Sequence, residues 1–166
     1  MPTVFWDASA LVKRYSVEVG SETVDAVFAL VPPASMLTTL WGYAETFASL
    51  FRSLNRGTLD QATCATAVSV LKHEVLDHPD LGFLAVDDGT VLAGLPLIER
   101  HNLNVTDATL LAVLLRYIHI QPPQMPPCVL VAADQRLLRA AQAEGVSTLN
   151  PEQLPPADLS AILAQA

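Results

Sequence analysis

Four to five short apolar runs, spaced by stretches of helical pattern, constrain this chain more than any other feature. The runs are Val4-Phe5-Trp6, "ASMLTT", "GFLAV", "CVLVAA" and the shorter "VSTLN". Between them lie "ASALVKRY", "GSETVDAVFALV", "LWGYAETFASLFRSLNRG", "TLDQATCATAVSVLKHEVL", "DDGTVLAGLPLIERH", "VTDATLLAVLLRYI" and "DQRLLRAAQAEG". Strands that alternate with helices imply right-handed crossovers and a parallel sheet covered by helices on both faces. The predicted class is therefore α/β, with a central parallel sheet of four to five strands. Two of the helical stretches follow one another across Gly57, a connection short enough to predict a helical hairpin. In the first of these, Leu40, Ala44, Phe47 and Phe51 fall on one apolar stripe. Ser21 stands where the helix "GSETVDAVFALV" would take a cap. "QPPQMPPC" reads as a stiff surface loop, and "PPADLSAILAQA" as a closing helix that packs on the domain or on a partner.

Composition narrows the setting. At 166 residues the chain suits one domain, read as residues 1–151 with 152–166 as its tail. An apolar fraction of 51% with 16% charged residues argues against disorder, and no apolar run approaches the roughly 18–20 residues of a membrane span. "MPTVFWDAS" has no basic start, apolar core or cleavage site, so the expected location is cytoplasmic. Cys64 and Cys128 lack any zinc or redox spacing and are read as plain reduced thiols. A net charge of −8 argues against a broad basic surface. A polyanionic substrate would need local help, either from some of the nine Lys and Arg or from a divalent cation in an acidic pocket.

The acids supply such a pocket. Asp7 ends the first strand and Asp134 follows "CVLVAA", so two strands each deliver a carboxylate to one edge of the sheet, where ligands of open parallel sheets bind. Asp107 opens a long apolar helix, and Glu45 lies inside an apolar helical stretch with Trp41 and Ala48 as neighbours. Taken singly, the three aspartates have a simpler explanation as helix caps, a role worth about 0.5–2 kcal/mol. Glu45 alone could be solvated or paired with Arg52. Capping does not explain the whole set, which has no basic residue adjacent to any member. Clustered carboxylates repel, and a fold tolerates that when a cation sits between them. Oxygen ligands without His or Cys point to magnesium or manganese.

"VFWDASALVKRY", "TTLWGYAETFASLFR", "LNVTDATLLAVLL" and "VLVAADQRLLRAAQAEGV" resemble, in order and spacing, the signature segments of the PIN-domain family. The likeness is greatest to VapC-type toxin ribonucleases of bacterial and archaeal toxin–antitoxin pairs. It implies a PIN-like fold in which Asp7, Glu45, Asp107 and Asp134 bind Mg²⁺ or Mn²⁺ and Ser9 supports the first acid or a water. The implied activity is hydrolysis of RNA phosphodiesters by a metal-activated water. It also implies a homodimer and a small antitoxin that covers the site, often with a basic side chain. The hairpin "LWGYAETFASLF" with "ATCATAVSVL" is a candidate contact surface, unless its apolar positions fill the core.

In one respect the chain departs from the pattern. Some relatives carry a further polar or acidic residue after the last aspartate; here Gln135 and Arg136 stand there, which leaves a second metal open. Asp87 and Asp88 are spare acids that read first as a turn and helix start. Lys13, Arg14, Arg52, Arg56, Arg136 and Arg139 follow the acids and are candidates to grip phosphates, or are ordinary surface charges. The four His residues share no spacing that suggests a general base. Two rival readings remain: an inactive PIN-like module that binds RNA or protein, and an enzyme with Asp7 as phosphoryl-transfer nucleophile. The second lacks a DxD pair and any glycine-rich phosphate loop.

Overall fold

In a computed structural model of the protein, which describes residues 1–165, the apolar runs form one sheet. Strand β1 (Thr3–Trp6) is followed by α1 (Ala8–Leu11), which continues as a 3₁₀ turn through Arg14, and by α2 (Ser21–Leu30). Then come β2 (Met36–Thr39), α3 (Leu40–Asn55) and α4 (Gln61–Leu71), the last running on into a π-helical turn at Lys72–Leu76. The second half comprises β3 (Gly82–Leu84), α5 (Asp88–His101), α6 (Val105–Ile120), β4 (Cys128–Val131), α7 (Gln135–Ala143), β5 (Ser147–Leu149) and α8 (Leu159–Gln165).

The five strands are all parallel, in the order β3-β2-β1-β4-β5. The chain thus builds outward from β1 on one side, then returns to place β4 on the other. Val4, Phe5 and Trp6 are fully buried because helices cover both faces of this central strand. Successive residues point to opposite faces, so Val4 and Trp6 join one core with Val24, Leu71 and Leu159, while Phe5 joins a second with Leu111, Leu130 and Leu137. Burial of one such side chain contributes about 1.5–3 kcal/mol. The closing helix packs on the domain: Leu159 and Leu163 complete the first core.

Two expectations change. Helix α2 is capped by Gly20, whose left-handed backbone (φ 91°) turns the chain, and Ser21 is its first helical residue. The hairpin forms, and α3 packs on α4 with the Cys64 thiol at 3.8 Å from the Leu50 carbonyl. The predicted stripe, however, faces out: Leu40, Ala44, Phe47 and Phe51 are exposed, and α3 turns Gly42, Thr46 and Leu50 inward. Small residues let that face approach the sheet closely. A Cβ on Gly42 would stand 2.8 Å from Thr38 Oγ1. Gly94 does the same for α5 against α6, where a Cβ would meet the Ala108 backbone at 3.1 Å.

Candidate active site

The carboxyl ends of β1 and β4 lie side by side at the point where the strand order reverses, the place where open α/β sheets bind ligands. Asp7 follows β1 and caps α1. Its Oδ2 accepts the Ser9 N–H at 2.9 Å and a short hydrogen bond from the Ser9 hydroxyl. The Ser9 oxygen in turn accepts the N–H groups of Ala133 (2.9 Å) and Asp134 (3.3 Å), which ties the ends of the two strands together. Asp134 caps α7 through Oδ1, which accepts from Arg136 N (2.8 Å) and Leu137 N (2.9 Å). Two of the acids are therefore caps as well as site candidates.

Asp107 is placed differently. The cap of α6 is Asn104, whose Oδ1 accepts the Asp107 N–H while its Nδ2 donates to Asp107 Oδ2, both at 2.8 Å. This differs from a capping box in that the return bond comes from the Asn104 side-chain amide rather than its backbone N–H, and it orients Asp107 without using the carboxylate as the cap. Glu45 sits half-buried one turn into α3, whose start is fixed by Thr39 accepting the Gly42 N–H at 2.9 Å.

The acids sense one another. Burial lifts Asp107 to about 6, and the charges of Asp7, Asp134 and Glu45 push in the same direction against a weaker pull from Arg136. Glu45 is raised by burial and then by Asp7, with Arg52 opposing. Asp7, 5% exposed, is raised by burial despite its Ser9 bonds, and Asp134 adds to the rise. The folded chain thus holds four carboxyl groups in one electrostatic neighbourhood, where Arg136 and Arg52 oppose the rise only in part. Among the described residues no three His, Cys, Asp or Glu side chains stand close enough together to form a ready metal cage.

No family model and no curated relative matches the sequence. Solved structures do match by shape. The crystal structure of PAE2754 from Pyrobaculum aerophilum superposes with a TM-score of 0.65 at 16% identity, covering 99% of this chain and 97% of that one. VapC20 of Mycobacterium tuberculosis, a sarcin-ricin loop cleaving toxin, gives 0.61 at 19% identity, covering 92% and 99%. FitAB bound to a DNA fragment gives 0.63 at 12% identity, covering 92% and 97%. The chain has a PIN-like fold.

Within this PIN fold the remaining candidates scatter. Lys13 is buried and paired with Glu152 (2.7 Å) and Glu18 (3.3 Å). Arg14 is paired with Asp25 (2.8 Å) and Glu74 (2.9 Å) and lies over the Phe28 ring. Both cations are matched inside the protein rather than offered to a polyanion. Arg52, Arg56, Arg136 and Arg139 are exposed, and Arg136 also donates to the Asn102 carbonyl at 3.2 Å. Asp87 is outside the acid group: it caps α5, pairs with Arg116 at 2.9 Å and is held below the usual carboxylate value by Thr90 and that arginine. His101 bonds Glu144 at 2.7 Å and joins the ends of α5 and α7. Among the described residues no single helix is long and apolar enough to cross a membrane. Sequence reasoning missed Asn104, although "NVTD" carried the signal, an N-cap residue three places before an acid.

Proposed function

We propose that this PIN-domain chain is a divalent-metal-dependent endoribonuclease, the toxin of a VapBC-type toxin–antitoxin pair. What supports the reading is the electrostatic coupling of Asp107 to Asp7, Asp134 and Glu45 near the strand-order reversal, Asp107 being lifted to about 6 by burial and then by these acidic neighbours. An all-oxygen donor set with unrelieved repulsion fits Mg²⁺ or Mn²⁺. Such an ion, once bound, supplies a strong local positive charge and lowers the pKa of water.

The chain's own groups then divide the work. Asp7 and Asp107 are the principal ligands. Ser9 holds Asp7 by Oδ2, which leaves Oδ1 for the cation. The α7 amides hold Asp134 by Oδ1, which leaves Oδ2 to bind directly or through water. Glu45 borders the site from α3 and orients the attacking water. Arg52 and Arg136 flank the acids and meet RNA phosphates. The exposed apolar face of α3, with Leu40, Trp41, Phe47 and Phe51, is of the kind that pairs two copies of a chain or seats an antitoxin. The acidic pocket favours a basic side chain from that antitoxin.

Gln135 and Arg136, standing where some relatives carry a further acid, favour a second reading, a PIN-like module that binds RNA or protein without cutting. Purified protein incubated with RNA, with and without Mn²⁺ or Mg²⁺, separates the two. Metal-dependent cleavage that disappears in Asp7→Asn and Asp107→Asn is expected. Cleavage without metal, or activity retained in Asp107→Asn, would overturn the nuclease reading.

A further inference from the structure

We propose that the cleft between α7, the end of β5 and the segment after it is a nucleobase subsite that takes an unpaired purine, adenine ahead of guanine, next to the cleaved phosphate. The inference rests on the nuclease reading and names part of its substrate selectivity. The cleft has a volume of about 340 Å³ and starts beside the acids, since Gln135 directly follows Asp134. Arg139 and Gln142 continue the same wall, because positions spaced by four and then three residues share one helix stripe. The opposite wall comes from Thr148, Asn150 and Gln153. Leu149 pairs in register with Val131, so the end of β5 is level with the strand that delivers Asp134.

Three properties of the lining point to a base. It contains no Asp or Glu, in a chain that has 17, so a polyanionic strand can approach it. Its polar groups are mainly amides, which match the donor and acceptor pair of adenine, while Arg139 matches guanine or an adjoining phosphate. Leu138, Leu154 and Ile162 supply apolar contact for a ring face. The Asn150 Nδ2 is buried without a hydrogen-bond partner, although its Oδ1 accepts the Glu152 N–H at 2.9 Å. An unmatched buried amide donor calls for an acceptor, and the ring nitrogens of a purine provide one. Gln142 already donates to Thr148 at 2.8 Å, which fixes its amide and leaves its carbonyl oxygen open. Bases splayed out of single-stranded RNA are read in this manner, by hydrogen bonds to their edges.

The test maps cleavage sites across a randomised single-stranded RNA for the wild type and for a Gln142→Met/Gln153→Met double variant, both positions being exposed. The wild type is expected to enrich a purine at one fixed position from the cut by about tenfold or more, and the variant to lose most of that preference. A wild type without such enrichment, or a variant that keeps it, overturns the subsite and leaves the nuclease intact. If the wild type cuts no RNA, the nuclease reading fails separately. Titration of AMP and UMP into metal-free protein, followed by the side-chain amide signals of Asn150 and Gln153, then decides the subsite. Shifts with AMP and not UMP support it, and their absence overturns it.

Discussion

Two charged regions of the molecule solve opposite problems. In the corner formed by the end of α1, α2 and the π-turn, each cation has two acids: Lys13 meets Glu18 and Glu152, and Arg14 meets Asp25 and Glu74. At the sheet edge the ratio is reversed, and four carboxylates share the weak fields of Arg52 and Arg136. The chain does not lack the means to neutralise acids, since it does so within a few residues of Asp7. The difference shows that the charge at the edge is a property of the site rather than of an acidic composition.

The largest expected effect separates the two regions by activity. Asp7→Asn and Asp107→Asn should each lower metal-dependent RNA cleavage by at least about 100-fold, whereas Lys13→Met should leave the cleavage rate nearly unchanged and lower stability by about 1–2 kcal/mol, its two partners being partly exposed. Rates and denaturant midpoints measured on the same preparations check both halves. A Lys13→Met variant that loses cleavage as completely as Asp107→Asn would merge the regions and break the contrast.

Next in size is the response to metal. Mn²⁺ at about 100 times its dissociation constant should stabilise the wild type by about 2.7 kcal/mol. Asp87→Asn, which removes a paired cap, should respond equally, and Asp107→Asn should respond weakly. Thermal unfolding with and without Mn²⁺ reads this directly.

Packing gives a third and smaller effect. Gly42→Ala pushes a Cβ against Thr38 Oγ1. The net cost should be about 1 kcal/mol, because overpacking is partly offset by the better helix propensity of Ala. The shift of α3 displaces Glu45, so cleavage should fall more than stability does. Equal loss of both would show that Glu45 tolerates displacement.

The smallest effect is in pH dependence. Asp107 has a raised value of about 6 against an ordinary 3.8, so the folded state holds more protons than the unfolded state between those limits, and its contribution to stability declines as pH rises from 3.8 to about 6. Asp107→Asn should therefore gain about 1 kcal/mol above pH 6, after allowance for solvent screening, and nothing below pH 4. Asp87 has the opposite sign. Its value is depressed, so its stabilisation is present above 3.8 and is lost as pH falls further. Urea titrations at pH 4 and pH 7 distinguish the two.

Much of this was legible in the chain. Apolar runs bounded by helical patterns marked four to five strands, where the sheet has five, and their carboxyl ends put Asp7 and Asp134 on one edge of it. Less visible was the orientation of α3. Periodicity shows that Leu40, Phe47 and Phe51 share a stripe but not that the stripe faces the core. Here Gly42 and Thr46 let the start of the helix approach the sheet closely, while Leu50 enters the first core. The pairing of Lys13 with Glu152 was illegible for another reason: 139 residues separate the partners, and no local rule connects them.

Ser9 imposes a direction on the site. Its oxygen already receives two backbone N–H groups, so its single proton has only the carboxylate side left to serve. Asp7 must then remain the acceptor, and the order amide, hydroxyl, carboxylate runs one way. Ser9→Thr preserves this polarity. Ser9→Ala abolishes it, leaving Asp7 held only by the backbone N–H of residue 9 and the amides of Ala133 and Asp134 to find water.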